Sequence, residues 1–308
     1  MQAGSLIVSV FGDALFPRGG GIWVGSLVQL LEPLALNARL VRTALFRLVK
    51  EDWVRPQVHG RRSDYFLSPT GQHRIVEASR HIYANTDPVW DQRWRLILTT
   101  GELHAKEREA LRSALFWHGF GSLSPTTFIH PSADLGAAFD ALLDEGLGAL
   151  RPSLLPLLAA ESGSAGAASS ADVVRRAWDL EQLGLRYTSF VQTYQPLLEV
   201  ARLQGAQPST VTDPGAIDDQ SAFLLRILLI HDYRRLLLRD PELPTALLPP
   251  GWPGQTARLL CQELYRRLLA GSERHLDLYC RLADGSTPGP ISASLTRFQA
   301  TDPLRFNG

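Results

Sequence analysis

The stretch Asn37–Arg62, NARLVRTALFRLVKEDWVRPQVHGRR, decides how the fold of this chain is interpreted. Asn37 has the chemistry of a helix cap, because its side-chain oxygen can accept a hydrogen bond from an orphan backbone N–H. Apolar residues then recur at helical spacing and predict a helix over Ala38–Lys50. Two short β-prone runs joined by a glycine-containing turn come next and indicate a hairpin: Trp53–Val58, His59-Gly60-Arg61 and Arg62–Leu67.

The two faces of the predicted helix differ in chemistry. At about 100° per residue, one side is apolar and consists of Leu40, Val41, Ala44, Leu45, Leu48 and Val49. The other side carries four cations and no acid. Such a helix, preceded by an apolar helix and a short corner, has the form of a recognition helix in a major groove. Its predicted DNA-contacting residues are Asn37, Arg39, Arg42, Thr43, Phe46, Arg47 and Lys50.

The hairpin extends this positive surface through Arg55, Arg61 and Arg62. Residues 39–62 hold seven cations against two acids, whereas the whole protein has 31 basic and 31 acidic residues. Local charge of this kind supplies affinity for phosphates, and a few side chains at base edges supply sequence choice. A merely solvated helix face, or a protein-interaction module, fits the same pattern and stays open as an alternative.

The neighbouring elements complete a first domain over residues 1–85. Ser5 is expected to cap a helix over Leu6–Phe16, and Trp23–Leu31 forms a second helix that ends at a short corner. Thr70–Ile82 closes the domain as a further helix. The order helix, helix, helix, hairpin predicts a winged helix-turn-helix.

The rest of the chain divides into an α/β part and a helical part. Residues 86–160 alternate strand and helix, which predicts a small α/β unit: Arg93–Thr99, Glu102–Trp117, Leu123–Ile129 and Ala137–Leu147. The run ESGSAGAASS, Glu161–Ser170, is a flexible low-complexity stretch. Residues 171–285 form a helical domain with the segments Ala171–Leu203, Gln220–Leu238 and Gln255–Leu282. The chain from Ala283 is expected to be loose, so residues 286–308 are set apart as a tail.

Composition and apolar patterning indicate a cytoplasmic protein. The two cysteines, Cys261 and Cys280, lack a CxxC arrangement, so neither a disulfide framework nor a zinc site is predicted. Ser5–Phe16 has no basic start and no small-residue cleavage site, which argues against a signal peptide. Ala222–Leu238 is interrupted by charged residues and does not have the pattern of a membrane span.

Short motifs along most of the chain carry a family resemblance. In the first domain they are Gly12-Asp13, Pro17-Arg18-Gly19-Gly20, Trp23, Val41-Arg42-Thr43-Ala44, Arg47-Leu48-Val49, Trp53 and Gly60-Arg61-Arg62-Ser63. Farther along they include Trp90-Asp91, Trp94-Arg95, Ala177-Trp178-Asp179-Leu180, His231-Asp232-Tyr233-Arg234-Arg235 and Trp252-Pro253-Gly254. Together they resemble the PaaX type of transcriptional regulator over about residues 5–280.

The resemblance implies an α+β fold: an N-terminal winged helix-turn-helix, a central ferredoxin-like domain similar to Cas2, and a C-terminal helical domain. It also implies a repressor of an aromatic-acid, phenylacetate-type catabolic operon, released by an aryl-CoA such as phenylacetyl-CoA. Since two recognition helices reading paired half-sites multiply a weak affinity, we expect a homodimer, with the helical domain as the favoured interface. Ala35 stands where the family would have glycine, so this corner is expected to manage without a positive φ.

The effector would need cations for its phosphates and aromatic side chains for its rings. The candidate residues are Trp94, Arg95, Trp178, Tyr187 and Arg226, each of which could equally be structural. An activator or dual regulator with the same DNA module, and a scaffold that does not bind DNA, remain the rival hypotheses.

No enzymatic activity, cofactor or metal is expected. Cas2-like nucleases place an aspartate at the end of the first strand, and the corresponding run Arg95–Thr100 has no carboxylate. His231 and Asp232 are adjacent and point about 100° apart on a helix, so they cannot by themselves form an oriented catalytic pair. We interpret them as part of a polar network that ties helices together.

Overall fold

Ten α-helices and seven strands are found in the residues described by the computed structural model, namely 2–83, 89–161, 168–205, 217–288 and 297–298. The fold is α+β, with one three-stranded and one four-stranded antiparallel sheet. Two compact units result, one made of Met1–Asn85, Phe190–Arg234 and Thr256–Gly308, the other of Thr86–Ser189 and Arg235–Gln255. The predicted division into three consecutive domains cuts the chain differently, because the C-terminal helices contribute residues to both units.

The first unit begins with helices and a small sheet. Its elements are α1 (Ala3–Val10), β1 (Gly21–Trp23), α2 (Val24–Leu31), α3 (Ala38–Lys50), β2 (Val54–His59), β3 (Arg62–Leu67) and α4 (Pro69–Ile82). A π-helical turn, Phe11–Leu15, and a 3-10 turn, Phe16–Arg18, continue α1. The helix therefore begins before Ser5, which was wrongly expected to be its cap. Trp23, predicted as helical, ends β1 instead, and β1 pairs with β3.

The second unit contains the four-stranded sheet. Its elements are β4 (Arg93–Thr99), α5 (Ala105–Trp117), β5 (Gly121–Ser124), β6 (Thr127–His130), α6 (Leu135–Asp144), β7 (Leu154–Ala160) and α7 (Ser170–Ala177). The strand order is β5-β6-β4-β7. The single strand predicted over Leu123–Ile129 is wrong, because Ser124 pairs with Thr127 and the chain reverses direction at Pro125. Proline has no N–H to donate to a ladder, so it suits this turn better than a strand interior.

The strand β7 was missed by the sequence analysis. Its sequence LLPLLAA has little of the β-branched and aromatic composition that marks strands. It lies at the edge of the sheet and pairs with β4, where Pro156 stands opposite Ile97. An edge position tolerates proline because one side of the strand is not hydrogen-bonded.

Three further helices complete the structure: α8 (Leu180–Gly205), α9 (Asp219–Leu237) and α10 (Pro253–Tyr279). The segment predicted as one helix from Ala171 is broken, since Trp178 has extended backbone angles of φ −133° and ψ 141°. Asp179 then caps α8 by accepting the backbone N–H of Gln182 at 3.0 Å. The low-complexity run falls largely on residues 162–167, which lie outside the described part of the chain.

The N-terminal helices share one hydrophobic core with α9 and α10. Phe223, Ile227 and Leu276, from these C-terminal helices, are completely buried in the cluster that contains the interior residues of α1, α2 and α3. Phe298, in the predicted loose tail, is also fully buried and packs edge-on against Tyr83 at 4.9 Å. At this position the tail prediction is wrong, because an aromatic side chain provides enough apolar surface to anchor the chain.

A buried ion-pair network connects α1 to the C-terminal helices within the first unit. Arg226 of α9 has no exposed surface and donates to Asp13 Oδ2 at 2.7 Å and to Glu273 Oε1 at 2.5 Å. Arg18 donates to the other oxygen of Glu273 at 2.6 Å. Tyr265 donates its hydroxyl to Asp13 Oδ1 at 2.9 Å. Burial raises the pKa of the Tyr265 hydroxyl well above its ordinary value, so this group remains a donor.

The pair His231 and Asp232 has the structural role that was expected. His231 Nδ1 lies 3.1 Å from the Ser9 hydroxyl, and Asp232 accepts a hydrogen bond from the Tyr194 hydroxyl at 2.9 Å. The first contact joins α9 to α1 and the second joins α9 to α8. The polar network predicted around these two residues is therefore confirmed within the first unit.

Replacing Arg226 by alanine should severely destabilise the protein. The carboxylates of Asp13 and Glu273 would then remain buried without their cation, which costs about 3–5 kcal/mol for a broken buried pair. The midpoint of urea unfolding measures the loss. The matched control is Arg235→Ala on the same helix, where the side chain is exposed and the expected change is within about 0.5 kcal/mol. Equal midpoints for the two variants would contradict this account of the network.

His130 in the second unit should make stability depend on pH. Its Nδ1 accepts the N–H groups of Ser132 at 3.0 Å and Ala133 at 2.7 Å, so Nε2 carries the hydrogen and donates to Pro241 O. Burial lowers the pKa of His130 to about 4. The unfolded chain takes up the proton near pH 6.5. The contribution of neutral His130 to the free energy of unfolding is thus fully present above about pH 6.5. It falls by up to about 3 kcal/mol as the pH drops toward 4.

This pH dependence is measured by urea unfolding between pH 7 and pH 4. The variant His130→Gln should be less stable overall but should lose much of the slope over this interval. The exposed His118, changed to Gln, should keep the wild-type slope. If the His130 and His118 variants show the same slope, His130 is not the titrating group.

Candidate nucleic-acid interface

The helix α3 has the two faces that the sequence predicted. Val41 and Leu45 have no exposed surface, and Ala44 and Leu48 are also buried. Leu40 is an exception, because 45% of its surface is exposed at the edge of the apolar face. The residues of the opposite face are all exposed: Arg39, Arg42, Thr43, Phe46, Arg47 and Lys50.

Two residues fix where α3 begins. Asn37 Oδ1 accepts the backbone N–H of Leu40 at 3.0 Å, which confirms the predicted cap. Ala35, in the corner between α2 and α3, has φ 60°. The expectation that this corner avoids a positive φ is therefore wrong. A left-handed conformation costs a residue with a Cβ about 1–2 kcal/mol, and the corner retains it because it sets the direction of α3.

The hairpin presents Arg61 at its tip. His59 pairs with Arg62, so Gly60 and Arg61 form a two-residue turn, and Gly60 has the φ of 61° that such a turn demands. Arg61 is exposed and makes no hydrogen bond or ion pair with any described residue. Because β1 pairs with β3 on the side away from β2, the hairpin belongs to a three-stranded sheet.

Arg62, the other arginine of the turn, is held in place by the protein itself. It donates to the Ala283 carbonyl at 2.8 Å, and its guanidinium lies 5.1 Å from the Trp23 ring centroid. Ala283 also donates its N–H to the buried carboxylate of Asp64 at 2.7 Å. Arg62 thus holds the turn end of the hairpin against the segment after α10 and still contributes positive charge at an exposed position.

The charges around the end of α3 are less free than the sequence suggested. Arg55 lies 3.6 Å from Asp52, and both side chains are about half exposed. A hydrogen bond from Thr70 and the nearby Arg55 lower the pKa of Asp52, so this carboxylate remains ionised and offsets part of the charge of Arg55. Arg74 of α4 adds a cation that the sequence analysis missed, with its guanidinium 5.0 Å from the Trp53 ring centroid. Folding of the unit brings Arg74 next to Trp53, although the two residues lie far apart in the sequence.

The five candidate effector residues are divided between the two units. Arg226 lies in the buried network of the first unit and cannot reach a ligand phosphate, which corrects its assignment. The other four belong to the second unit, where each has a structural contact. Trp94 donates to Glu161 at 3.3 Å, Arg95 pairs with Asp91 at 2.6 Å, Trp178 donates to the Gly119 carbonyl at 2.9 Å, and Tyr187 donates to Asp240. Among these, Trp178 also lines a cavity.

No group of three or more metal-ligating side chains occurs among the residues that the structure describes. None of the described helices is both long enough and apolar enough to cross a membrane.

A capped helix with an exposed cationic face, followed by a hairpin that carries an arginine at its tip, defines a class of protein: one with a helix-turn-helix module and a basic wing. Comparison with known families refines this class. Residues 2–71 match the family model of PaaX-like proteins, residues 87–149 match the PaaX protein central Cas2-like domain, and residues 178–278 match the PaaX-like protein C-terminal domain. The chain belongs to the PaaX family, as its sequence motifs indicated.

Two individual proteins are similar to this chain over most of its length. The protein is 36% identical over 294 residues to the transcriptional repressor PaaX of Escherichia coli (strain K12), an alignment that covers 96% of this chain and 89% of the relative. The uncharacterized protein Rv0674 from Mycobacterium tuberculosis is 21% identical, with a TM-score of 0.45 over 80% of this chain and 90% of the other.

Arg42 and Arg61 should differ in how their loss affects DNA binding. Arg42→Ala should cost about 1–3 kcal/mol on the specific site and relax the choice of one base pair, because its place on α3 suits contact with a base edge. Arg61→Ala should weaken binding to all DNA sequences alike. It should also reduce the slope of the logarithm of the binding constant against the logarithm of salt concentration by about one. Fluorescence anisotropy with specific and random duplexes, measured over a series of salt concentrations, separates the two effects. Lys106→Ala, an exposed cation on α5, is the control. Identical behaviour of the Arg42 and Lys106 variants would contradict the assignment of α3.

Proposed function

We propose that this protein is a DNA-binding transcriptional repressor of an aromatic-acid catabolic operon. The observation that carries the proposal is the exposed face of α3, where Arg39, Arg42 and Arg47 make no hydrogen bond or ion pair with any described residue. Exposed cationic side chains without partners among the described residues are available to bind the phosphates of DNA. The 36% identity to a protein named a transcriptional repressor supports the same function.

On DNA, α3 lies in the major groove and the hairpin contacts the backbone beside it. The residues Arg42 and Arg39 near the start of the helix are placed to contact base edges, as the N-terminal part of a recognition helix does. Arg61 at the tip of the hairpin and Arg62 beside it bind phosphates. Base contacts set the choice of operator, and phosphate contacts set register and most of the affinity.

The repressor acts as a cytoplasmic homodimer on an operator with two half-sites. Binding of the second module is then intramolecular, which raises affinity without any new type of contact. An aryl-CoA thioester relieves repression by favouring an arrangement of the dimer that does not match the half-site spacing. The ligand shifts this equilibrium by as much as its affinities for the two arrangements differ.

A promoter fusion in a deletion strain tests the proposed function. The wild-type protein should lower reporter expression, and addition of phenylacetate to the medium should restore it. A variant with Arg39, Arg42, Arg47 and Lys50 all changed to alanine should fail to repress, because it lacks the cations of the α3 face. Since these side chains are exposed, the variant should fold normally, as circular dichroism can verify.

The control is a double variant, Lys106→Ala with Arg235→Ala, which removes exposed cations elsewhere and should repress like the wild type. Retained repression by the quadruple variant would show that α3 is not the DNA-binding surface. Expression that rises when the wild-type protein is present would identify an activator instead of a repressor.

A further inference from the structure

A cavity of about 460 Å³ in the second unit has five aromatic residues among the fifteen that line it. It lies at the end of α5, beside the β5–β6 hairpin and the break between α7 and α8. Phe116, Trp117, Phe120 and Trp178 contribute rings to its lining. The volume is within the range of small-molecule sites, which hold about 300–1,000 Å³.

One wall of the cavity is fixed by the protein. The Trp178 indole donates to the Gly119 carbonyl at 2.9 Å. Gly121 lies so close that a Cβ on it would stand 2.6 Å from the same ring. Glycine at this position therefore permits the indole to sit against the strand. The position of the Trp178 ring is therefore set by the protein itself.

Two of the aromatic residues that line the cavity, Phe116 and Trp117, are unusually exposed for large apolar side chains. Half of the Phe116 surface and 60% of the Trp117 surface are accessible, although both residues end a well-formed helix. Their rings pack edge-on at 6.1 Å, so they form one apolar patch. Aromatic surface of this kind, lining a concave site, is typical of places where a ring of a ligand is buried.

Three arginines surround this aromatic surface. Arg112 is paired with Glu109 at 2.6 Å, and Arg186 donates to Gln182 at 3.0 Å. Arg239 is exposed, and its side chain makes no hydrogen bond or ion pair with any described residue. The lining also includes one carboxylate, Asp179, whose Oδ1 accepts the N–H that caps α8. The cavity therefore combines aromatic walls with an excess of positive charge.

We propose that this cavity binds an aromatic acyl group attached to an anion, with the ring against Trp117 and Trp178 and the negative charge at Arg239. A free aromatic carboxylate carries its charge next to the ring, whereas its CoA thioester carries it on phosphates at the far end of the pantetheine arm, so the two sources are separated by the test. The inference rests on the proposed function, because it assigns the site where the effector of the repressor binds. It replaces the scattered set of residues that the sequence suggested and retains Trp178 from that set.

Isothermal titration of the full-length protein with phenylacetyl-CoA, phenylacetate and CoA tests the proposal. Trp117→Ala and Arg239→Ala should each weaken binding of the aromatic ligand by about tenfold or more. Both side chains are exposed, so neither variant should lose its fold. Leu185→Ala and Arg235→Ala change exposed residues outside the cavity lining and should bind like the wild type. Binding of phenylacetyl-CoA without phenylacetate identifies the thioester as the ligand, and the reverse identifies the free acid.

Operator binding of the same variants, measured without any ligand, separates failure of this inference from failure of the proposed function. If the wild type binds DNA and an aromatic ligand, and the cavity variants bind that ligand unchanged, the cavity is not the site but the repressor function stands. If the wild type binds DNA and none of the aromatic probes, the cavity assignment is overturned together with effector control. If it binds no DNA but the cavity variants lose ligand affinity, the site stands without the proposed regulator.

Discussion

The first unit depends on the ion pairs that Arg226 makes with Asp13 and Glu273. These groups are almost completely removed from water, so each charge has to be compensated inside the protein. The carboxylate of Asp13 comes from the turn after α1 and that of Glu273 from α10, near the C-terminal end of the chain. Replacing such a network by apolar residues can be neutral or even stabilising, whereas removing one partner leaves a buried charge without compensation. Here it fixes which helices pack around α1.

This constraint makes the N-terminal helices and the β2–β3 hairpin part of a larger unit. A winged helix that folded alone would be attached through a linker, whereas here α9 and α10 share its hydrophobic core. The segment after α10 also contacts the sheet. The Trp23 backbone N–H donates to the Arg281 carbonyl at 2.9 Å, and Ala283 bonds both Arg62 and the buried Asp64. The position of the wing is therefore set by residues more than two hundred positions away in the sequence.

The parts of the site that the sequence predicted are those governed by local rules. The α3 face follows from helical periodicity, its start follows from the capping chemistry of Asn37, and the hairpin follows from Gly60 between two β-prone runs. The effector candidates were chosen by residue type alone, and this failed for Arg226. An arginine in a leucine-rich helix looks the same in sequence whether it pairs with a buried carboxylate or faces a ligand. Trp117, Phe116 and Arg239, which line the cavity, were not singled out because a solvent-exposed ring or cation carries no periodic signal.

By itself, the sequence determined the family, through short motifs along most of the chain, and with it the α+β class. It also determined the charged face of α3, because helical spacing is a local property of the chain. Only the tertiary structure decided which cations are free and which are held, as in the contrast between Arg61 and Arg62. It also decided that Ala35 adopts a left-handed conformation and that Trp178, Trp117 and Arg239 border one cavity. The physical reason is the same in each case: these properties arise from contacts between segments distant in sequence, and such contacts leave no local pattern in the residues that make them.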